Sequence, residues 1–156
     1  MKVHLWAMGA SSDDWVSKGE QLYVKRIERY LPFEYKSIQP GKSNTNKLLV
    51  LAAEAKWLQQ QFDKTPSRII ILDEKGPQWT SEQFALNLEK WRQGTYKRVV
   101  FLIGSSYGFD KSIYNMADEK IGLSRMTLPH QLCRLVFLEQ IYRACTILKG
   151  ESYHHE

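Results

Sequence analysis

The residues able to do chemistry gather in three stretches of the C-terminal half. Gly104-Ser-Ser-Tyr-Gly108 follows the apolar run from Val99 to Ile103, Leu123-Ser-Arg-Met-Thr-Leu-Pro-His130 comes next, and Tyr153, His154 and His155 stand near the end. A continuous apolar run of strand length is what a parallel strand covered on both faces looks like. A glycine loop at the carboxyl end of such a strand is where open α/β sheets bind ligands. The glycines do not make a phosphate loop, which needs four residues between them and Lys-Ser or Lys-Thr directly after the second. Here three residues separate them, and Phe109-Asp110 intervene before Lys111-Ser112. No Gly-x-Gly-x-x-Gly occurs either, so the dinucleotide fingerprint fails. What is left is a turn that lets a ligand approach the backbone. The polar tail after Gly150 carries an aromatic ring and two imidazoles with no core to serve, which leaves open a role in chemistry or an unstructured end. His154 and His155 have no further ligand at zinc-like spacing, so no metal is expected. His4 reads as a strand histidine, and His130 after Pro129 is open between packing beside a helix start and a ligand role.

The elements that must position these residues follow from periodicity. Residues 2–8 predict a first strand and 13–31 a helix capped from residues 11–14, with Trp15, Leu22, Ile27, Tyr30 and Leu31 as its apolar side. Residues 33–39 alternate like a half-exposed, peripheral strand ended by Pro40-Gly41. Asn44 to Asn46 caps a helix over 47–62, with Leu48, Leu51, Ala52, Ala55 and Leu58 at helical spacing. Strands are expected at 67–72 and 98–103, with a helix between them opened by a Thr80/Gln83 capping box and running to about residue 93. A short helix over 110–117, a weak strand over 120–123 and a long helix over 129–149 complete the chain. This alternation predicts a single-domain α/β fold, with a mainly parallel sheet and helices on both faces. Leu135-Val-Phe-Leu138 points apolar side chains around the whole circumference of the last helix. A second copy of the chain is therefore expected to cover part of it, giving a homodimer.

Composition bounds the rest. With 156 residues, 25% charged and 43% apolar, the chain reads as an ordinary globular domain. The N-terminal apolar stretch is far shorter than the roughly 20 residues of a membrane span and predicts a strand, not a signal peptide. Cys133 and Cys145 lie on one predicted helix, separated by about 18 Å, so they cannot bridge. Reduced thiols suit the cytoplasm. A net charge of +5 permits a polyanionic partner. Lys25, Arg26 and Arg29 cluster on one helix, Lys97 and Arg98 precede a strand, and Arg125, Arg134, Arg143 and Lys149 surround the expected pocket.

Four segments in this order carry a resemblance: Phe101-Leu-Ile-Gly-Ser-Ser-Tyr-Gly108, Leu123-Ser-Arg-Met-Thr-Leu-Pro-His-Gln131, Leu138-Glu-Gln-Ile-Tyr-Arg-Ala144 and Lys149-Gly-Glu-Ser-Tyr-His-His155. Over nearly its whole length the sequence resembles the bacterial ribosomal RNA large subunit methyltransferase H family, within the SPOUT superfamily of knotted methyltransferases. It departs from the family at Ser105, usually a second glycine, and at Arg125, often a lysine. The resemblance implies an enzyme that uses S-adenosylmethionine to methylate N3 of a pseudouridine in 23S ribosomal RNA, acting as a cytoplasmic homodimer on the assembled ribosome, without metal or membrane. It implies a deep trefoil knot within about residues 67–156. Cofactor contacts are implied at Leu72, Gly104, Leu123, Ser124, Arg125, Met126, Thr127 and Leu128, and catalytic roles at Tyr153, His154 and Arg143. The rival readings are a non-enzymatic ribosome-associated RNA-binding protein of the same fold, with Ser105 as its best support, and a nucleotide-phosphate-binding protein using residues 104–112.

Overall fold

The computed structural model describes residues 1–10, 13–40 and 46–155. Its elements run β1 (Lys2–Met8), α1 (Asp14–Glu28), β2 (Phe33–Ile38), α2 (Lys47–Lys64), β3 (Ser67–Leu72), α3 (Ser81–Arg92), β4 (Arg98–Ile103), α4 (Lys111–Met116), β5 (Glu119–Ile121) and α5 (His130–Leu148). The strands form one sheet in the order β2-β1-β4-β3-β5, with every pairing parallel. β4 is central and buried along nearly its whole length, as its unbroken apolar run requires. β2 is the peripheral strand expected from its alternation.

Period-two alternation splits the core into two layers. Val3, Leu5, Ala7, Phe101 and Ile70 pack with Ile27 of α1, Phe84 and Leu88 of α3, and Phe137, Leu138 and Ile141 of α5. Trp6, Met8, Val100, Leu102, Ile69 and Ile71 face the other way, against Ala55 and Leu58 of α2 and Ile113 of α4. Thus α1, α3 and α5 share one face of the sheet, and α2 and α4 share the other.

Local signals hold where side chains cap backbone. Asn46 accepts from the amides of Leu48 and Leu49, and the Thr80/Gln83 capping box is complete. The Ser11, Ser12, Gly41 and Asn44 expectations lie outside the described residues. Two apolar assignments are corrected. Trp15 is 64% exposed and Leu22 47%, because α1 buries a neighbouring stripe of Val16, Glu20 and Ile27. Leu48 is 76% exposed, since it sits in the first turn of α2, before burial begins at Leu51, and Ala52 is exposed as well, because the buried stripe runs through Leu51, Glu54, Ala55 and Leu58. α1 also stops at Glu28, three residues short of the expected end.

Candidate functional site: a cleft at three strand ends

The carboxyl ends of β3 and β4 and the loop after β5 converge on a cleft of about 610 Å³. From β3 come Leu72, Asp73 and Glu74. β4 and its loop supply Ile103, Gly104, Ser105, Ser106, Gly108 and Phe109, with Tyr114 from α4. The loop after β5 supplies Leu123, Ser124, Met126, Thr127 and Leu128, and the start of α5 adds Pro129, His130 and Cys133. All the cofactor positions expected from sequence therefore meet here except Arg125, whose exposed side chain lies in the same loop without lining the cleft.

Close backbone approach explains why glycine stands in these loops. A Cβ on Gly104 would lie 3.1 Å from the Gly108 carbonyl oxygen and 3.1 Å from the Phe109 ring. Gly108 has φ +73°, and its amide donates to the Ser105 carbonyl at 2.9 Å, closing the turn. Ser105 needs no left-handed backbone, because no residue other than glycine takes a positive φ among the described ones. Its hydroxyl accepts from the Tyr107 amide at 3.4 Å. The loops after β3 and β5 touch through Gly76 and Gly122. The Gly122 amide donates to the Pro77 carbonyl and the Asp73 amide to the Ile121 carbonyl, each at 2.9 Å. The Thr127 hydroxyl donates to Glu74 at 3.0 Å and ties the same two loops across the cleft.

Sequence reasoning missed Asp73, Glu74, Phe109, Tyr114 and Cys133 as lining residues; position directly after a strand end was the available signal for the two acids. His130 resolves toward the cleft, with its pKa lowered by burial and by nearby Arg134. Burial raises the Cys133 thiol to about 11, which leaves it unreactive. Arg134 is corrected from a pocket cation to a wholly buried tie. Its guanidinium donates to the carbonyls of Met8 at 2.7 Å and Ala10 at 3.1 Å and to the Ser37 hydroxyl at 3.2 Å, locking the end of β1 to the first turns of α5. His4 is a buried strand residue with its ring 3.3 Å from Glu34, as expected.

Arg143, Tyr153 and His154 form a second cluster. After α5 the Gly150 amide bonds the Ile147 carbonyl and the Glu151 amide bonds the Thr146 carbonyl, while Gly150 takes φ +69°. This is a Schellman cap, and it turns the tail back on its own helix. Tyr153 stacks edge-on to Tyr142, with ring centroids 4.7 Å apart, and donates to Glu139 at 3.0 Å. Glu139 also accepts from Arg143 at 3.0 and 2.6 Å. His154 bridges Arg143 at 3.1 Å and Glu82 of α3 at 2.6 Å. A guanidinium only donates, so Nδ1 of His154 accepts and Nε2–H donates to Glu82. Burial first, then Tyr23 and Glu139, push the Tyr153 phenol well above its ordinary range, so it stays protonated. The tail thus packs against α5 and α3 without joining the core. Arg143 lies thirteen positions beyond His130 on α5, about 20 Å along the axis. Within one chain the cleft and this cluster stand at opposite ends of one helix.

Residues 1–154 match a family model described as "Predicted SPOUT methyltransferase". A ribosomal RNA large subunit methyltransferase H from Cytophaga hutchinsonii is 43% identical over 155 residues, 99% of this chain and 100% of that protein. The chain belongs to the ribosomal RNA large subunit methyltransferase H family of SPOUT methyltransferases. A namesake from Geobacter sulfurreducens is 39% identical, over 99% of this chain and 100% of its own. The fold is also that of a tRNA (m1G37) methyltransferase from Aquifex aeolicus, with TM-score 0.58 and 13% identity over 100% of this chain and 76% of that one. Membership of a methyltransferase family implies a methyl donor. Among the described residues, no three His, Cys, Asp or Glu side chains are grouped to hold a metal, and no helix is long and apolar enough to cross a membrane.

Proposed function

We propose that the protein methylates N3 of a pseudouridine in 23S ribosomal RNA of the assembled ribosome, with S-adenosylmethionine as donor, as a homodimer in the cytoplasm. The observation that carries the donor assignment is the convergence of three strand ends on one cleft whose backbone approach a Cβ at Gly104 would fill. Leu72, Ile103, Leu123 and Leu128 offer apolar walls, the loop backbones offer donors and acceptors, and Asp73 and Glu74 offer carboxylates for polar groups. When bound, the cofactor supplies a methyl group already activated on a sulfonium. The chain's own task is to hold the acceptor in line and ease loss of its N3 proton. Arg143, held by Glu139, suits the negative charge left on the ring, and the Tyr153 ring beside it suits placing the base. Ser105, with its ordinary backbone and its place beside the cleft, gives no support to a non-enzymatic reading.

The separation of about 20 Å along α5 between cleft and tail is the reason for the dimer. A tail that serves a cleft serves the partner's, and the apolar circumference of α5 supplies the surface. The knot belongs to the same proposal, supported by the family resemblance and by the contact between the loops after β3 and β5 at Gly76 and Gly122.

Labelled methyl transfer to ribosomes, large subunits and naked RNA, followed by nucleoside analysis, tests the substrate. Label in another nucleoside refutes it. Removing residues 150–156 is expected to preserve cofactor binding and lower transfer at least a hundredfold. Mixing that chain with a Gly104→Val chain then restores activity if tails act across subunits; two inactive parents that stay inactive despite proven exchange refute the composite site.

A further inference from the structure

The last turn of α1 meets the tail in a cluster of arginine and tyrosine that the methyl-transfer reading leaves unused. The Arg26 guanidinium lies over two rings, 5.5 Å from the centroid of Tyr23 and 5.4 Å from that of Tyr142. Tyr142 in turn touches Tyr30, with centroids 6.0 Å apart, and Tyr153 at 4.7 Å. The Tyr30 hydroxyl donates to Glu151 at 2.6 Å, which fastens the helix end to the tail. Arg26 is half-buried; Lys25, Arg29 and Lys149 are exposed.

Ion pairing does not single these cations out, since among the described residues Lys18, Lys56, Lys97 and Arg125 have no carboxylate partner either; what sets Arg26 apart is its place over two rings. Lys2 and Lys36 pair with Glu34, Arg68 with Glu119, Arg92 with Glu89 and Arg143 with Glu139. Among the described residues, Lys25, Arg26, Arg29 and Lys149 have no carboxylate within 4.0 Å. Nearby acids are already engaged: Glu139 by Arg143 and Tyr153, and Glu151 by Tyr30, while Glu28 points to solvent. A favourable position at a helix C-terminus accounts for a basic last turn. It does not account for a guanidinium placed over two tyrosine rings with no hydrogen bond to a described residue.

We propose that Arg26, together with Arg29, grips the phosphate backbone of the RNA strand beside the nucleotide being methylated. A planar guanidinium fixed by stacking presents paired donors to a phosphate at small entropic cost. The chain of contacts from Arg26 through Tyr142 and Tyr153 to Arg143 and His154 makes this surface continuous with the groups that face the base. The partner is thus a looped or single-stranded RNA segment, gripped at its backbone here while the base enters the cleft. This inference rests on the reading of the tail as part of the transfer site.

Binding to ribosomes and to naked large-subunit ribosomal RNA, measured without cofactor over a range of salt concentrations, tests it independently of the donor assignment. Arg26→Ala is expected to weaken both about tenfold and to lower the salt slope by about one; adding Arg29→Ala lowers it by about one more. Arg26→Lys keeps the slope and loses part of the affinity. Lys56→Ala on α2, across the sheet, changes neither. S-adenosylmethionine affinity stays at the wild-type value in all four, and thermal unfolding shows each to be folded, with a small fall in midpoint where Arg26 is truncated. The proposal is overturned if folded Arg26→Ala keeps the wild-type affinity and slope, or if the wild type binds neither particle nor RNA. Loss of binding to ribosomes with unchanged binding to naked RNA would assign the surface to a ribosomal protein and overturn it equally.

Discussion

Substituting Gly122 by alanine adds one methyl group where two loops of the cleft are in backbone contact. The new Cβ would lie 2.7 Å from the Gly76 carbonyl oxygen and 3.1 Å from that of Asp73. Both neighbours are backbone, so no side chain can swing away. Relief requires the loops after β3 and β5 to part, which stretches the Gly122–Pro77 and Asp73–Ile121 hydrogen bonds, each 2.9 Å in the native protein. Overpacking of this kind costs about 1–3 kcal/mol, against about 0.4–1 kcal/mol gained by restricting the unfolded chain. A net loss of about 1–2 kcal/mol corresponds to a fall in midpoint of about 2–8 °C for a domain of this size. Because Asp73 and Leu123 flank the contact and line the cleft, donor affinity should fall about tenfold, or about 1.4 kcal/mol. Thermal unfolding and calorimetry with S-adenosylmethionine read the two effects. Gly150→Ala is the contrast: it has φ +69° and nothing within 4 Å of its Cβ, so only left-handed strain of about 1–2 kcal/mol applies and the cleft is untouched. A Gly122→Ala protein with wild-type midpoint and wild-type affinity would refute the account of these loops.

Two further outcomes follow from the same geometry. Gly104→Val puts a branched side chain where a Cβ alone would meet the Gly108 carbonyl at 3.1 Å, and it should weaken cofactor binding by more than tenfold, about 1.4 kcal/mol. Normal binding by the folded variant would make Gly104 a turn residue only. Glu54, 3% exposed on α2 and with one carboxylate oxygen lacking any partner, is raised from 4.5 to about 7 by burial. Between those values the folded state holds the proton more tightly than the unfolded, so stability falls as pH rises through the window. Glu54→Gln should therefore be more stable than the wild type at pH 8 and lose that advantage below about pH 4.5; chemical denaturation at both pH values decides it, and a pH-independent difference counts against it.

Legibility in the sequence followed the range of the interactions involved. β3 and β4 fall on the expected residues, because a short apolar run between turn residues has one good solution in a covered sheet. The Thr80 capping box and the Asn46 cap were equally readable, since each is closed within three residues. Which residues of α1 are buried was only partly readable: Ile27 is buried as expected, but Trp15 satisfies helical spacing as well as its neighbour Val16 does, and long-range packing selects Val16. Arg134 shows the same limit from the polar side. Its partners lie 97 to 126 positions away, so no local pattern distinguishes it from a solvated cation.

The cleft and the tail sit between these extremes. Strand ends that carry glycine point to a ligand because the topology forces them together, and the family motifs name the same residues. The tail's composition told what it could do, while its place depended on a cap at Gly150 that folds it against Glu139, Arg143 and Glu82 of its own chain. α5 is rigid over nineteen residues, with cleft and tail at its two ends, so fluctuation of one chain cannot close a gap of about 20 Å. An apolar circumference that one chain leaves partly uncovered and a polar cluster held away from its own cleft are the two observations on which the proposed dimer rests: a second copy lying along α5 would bring the tail of each subunit to the cleft of the other, and the mixed-dimer experiment decides it.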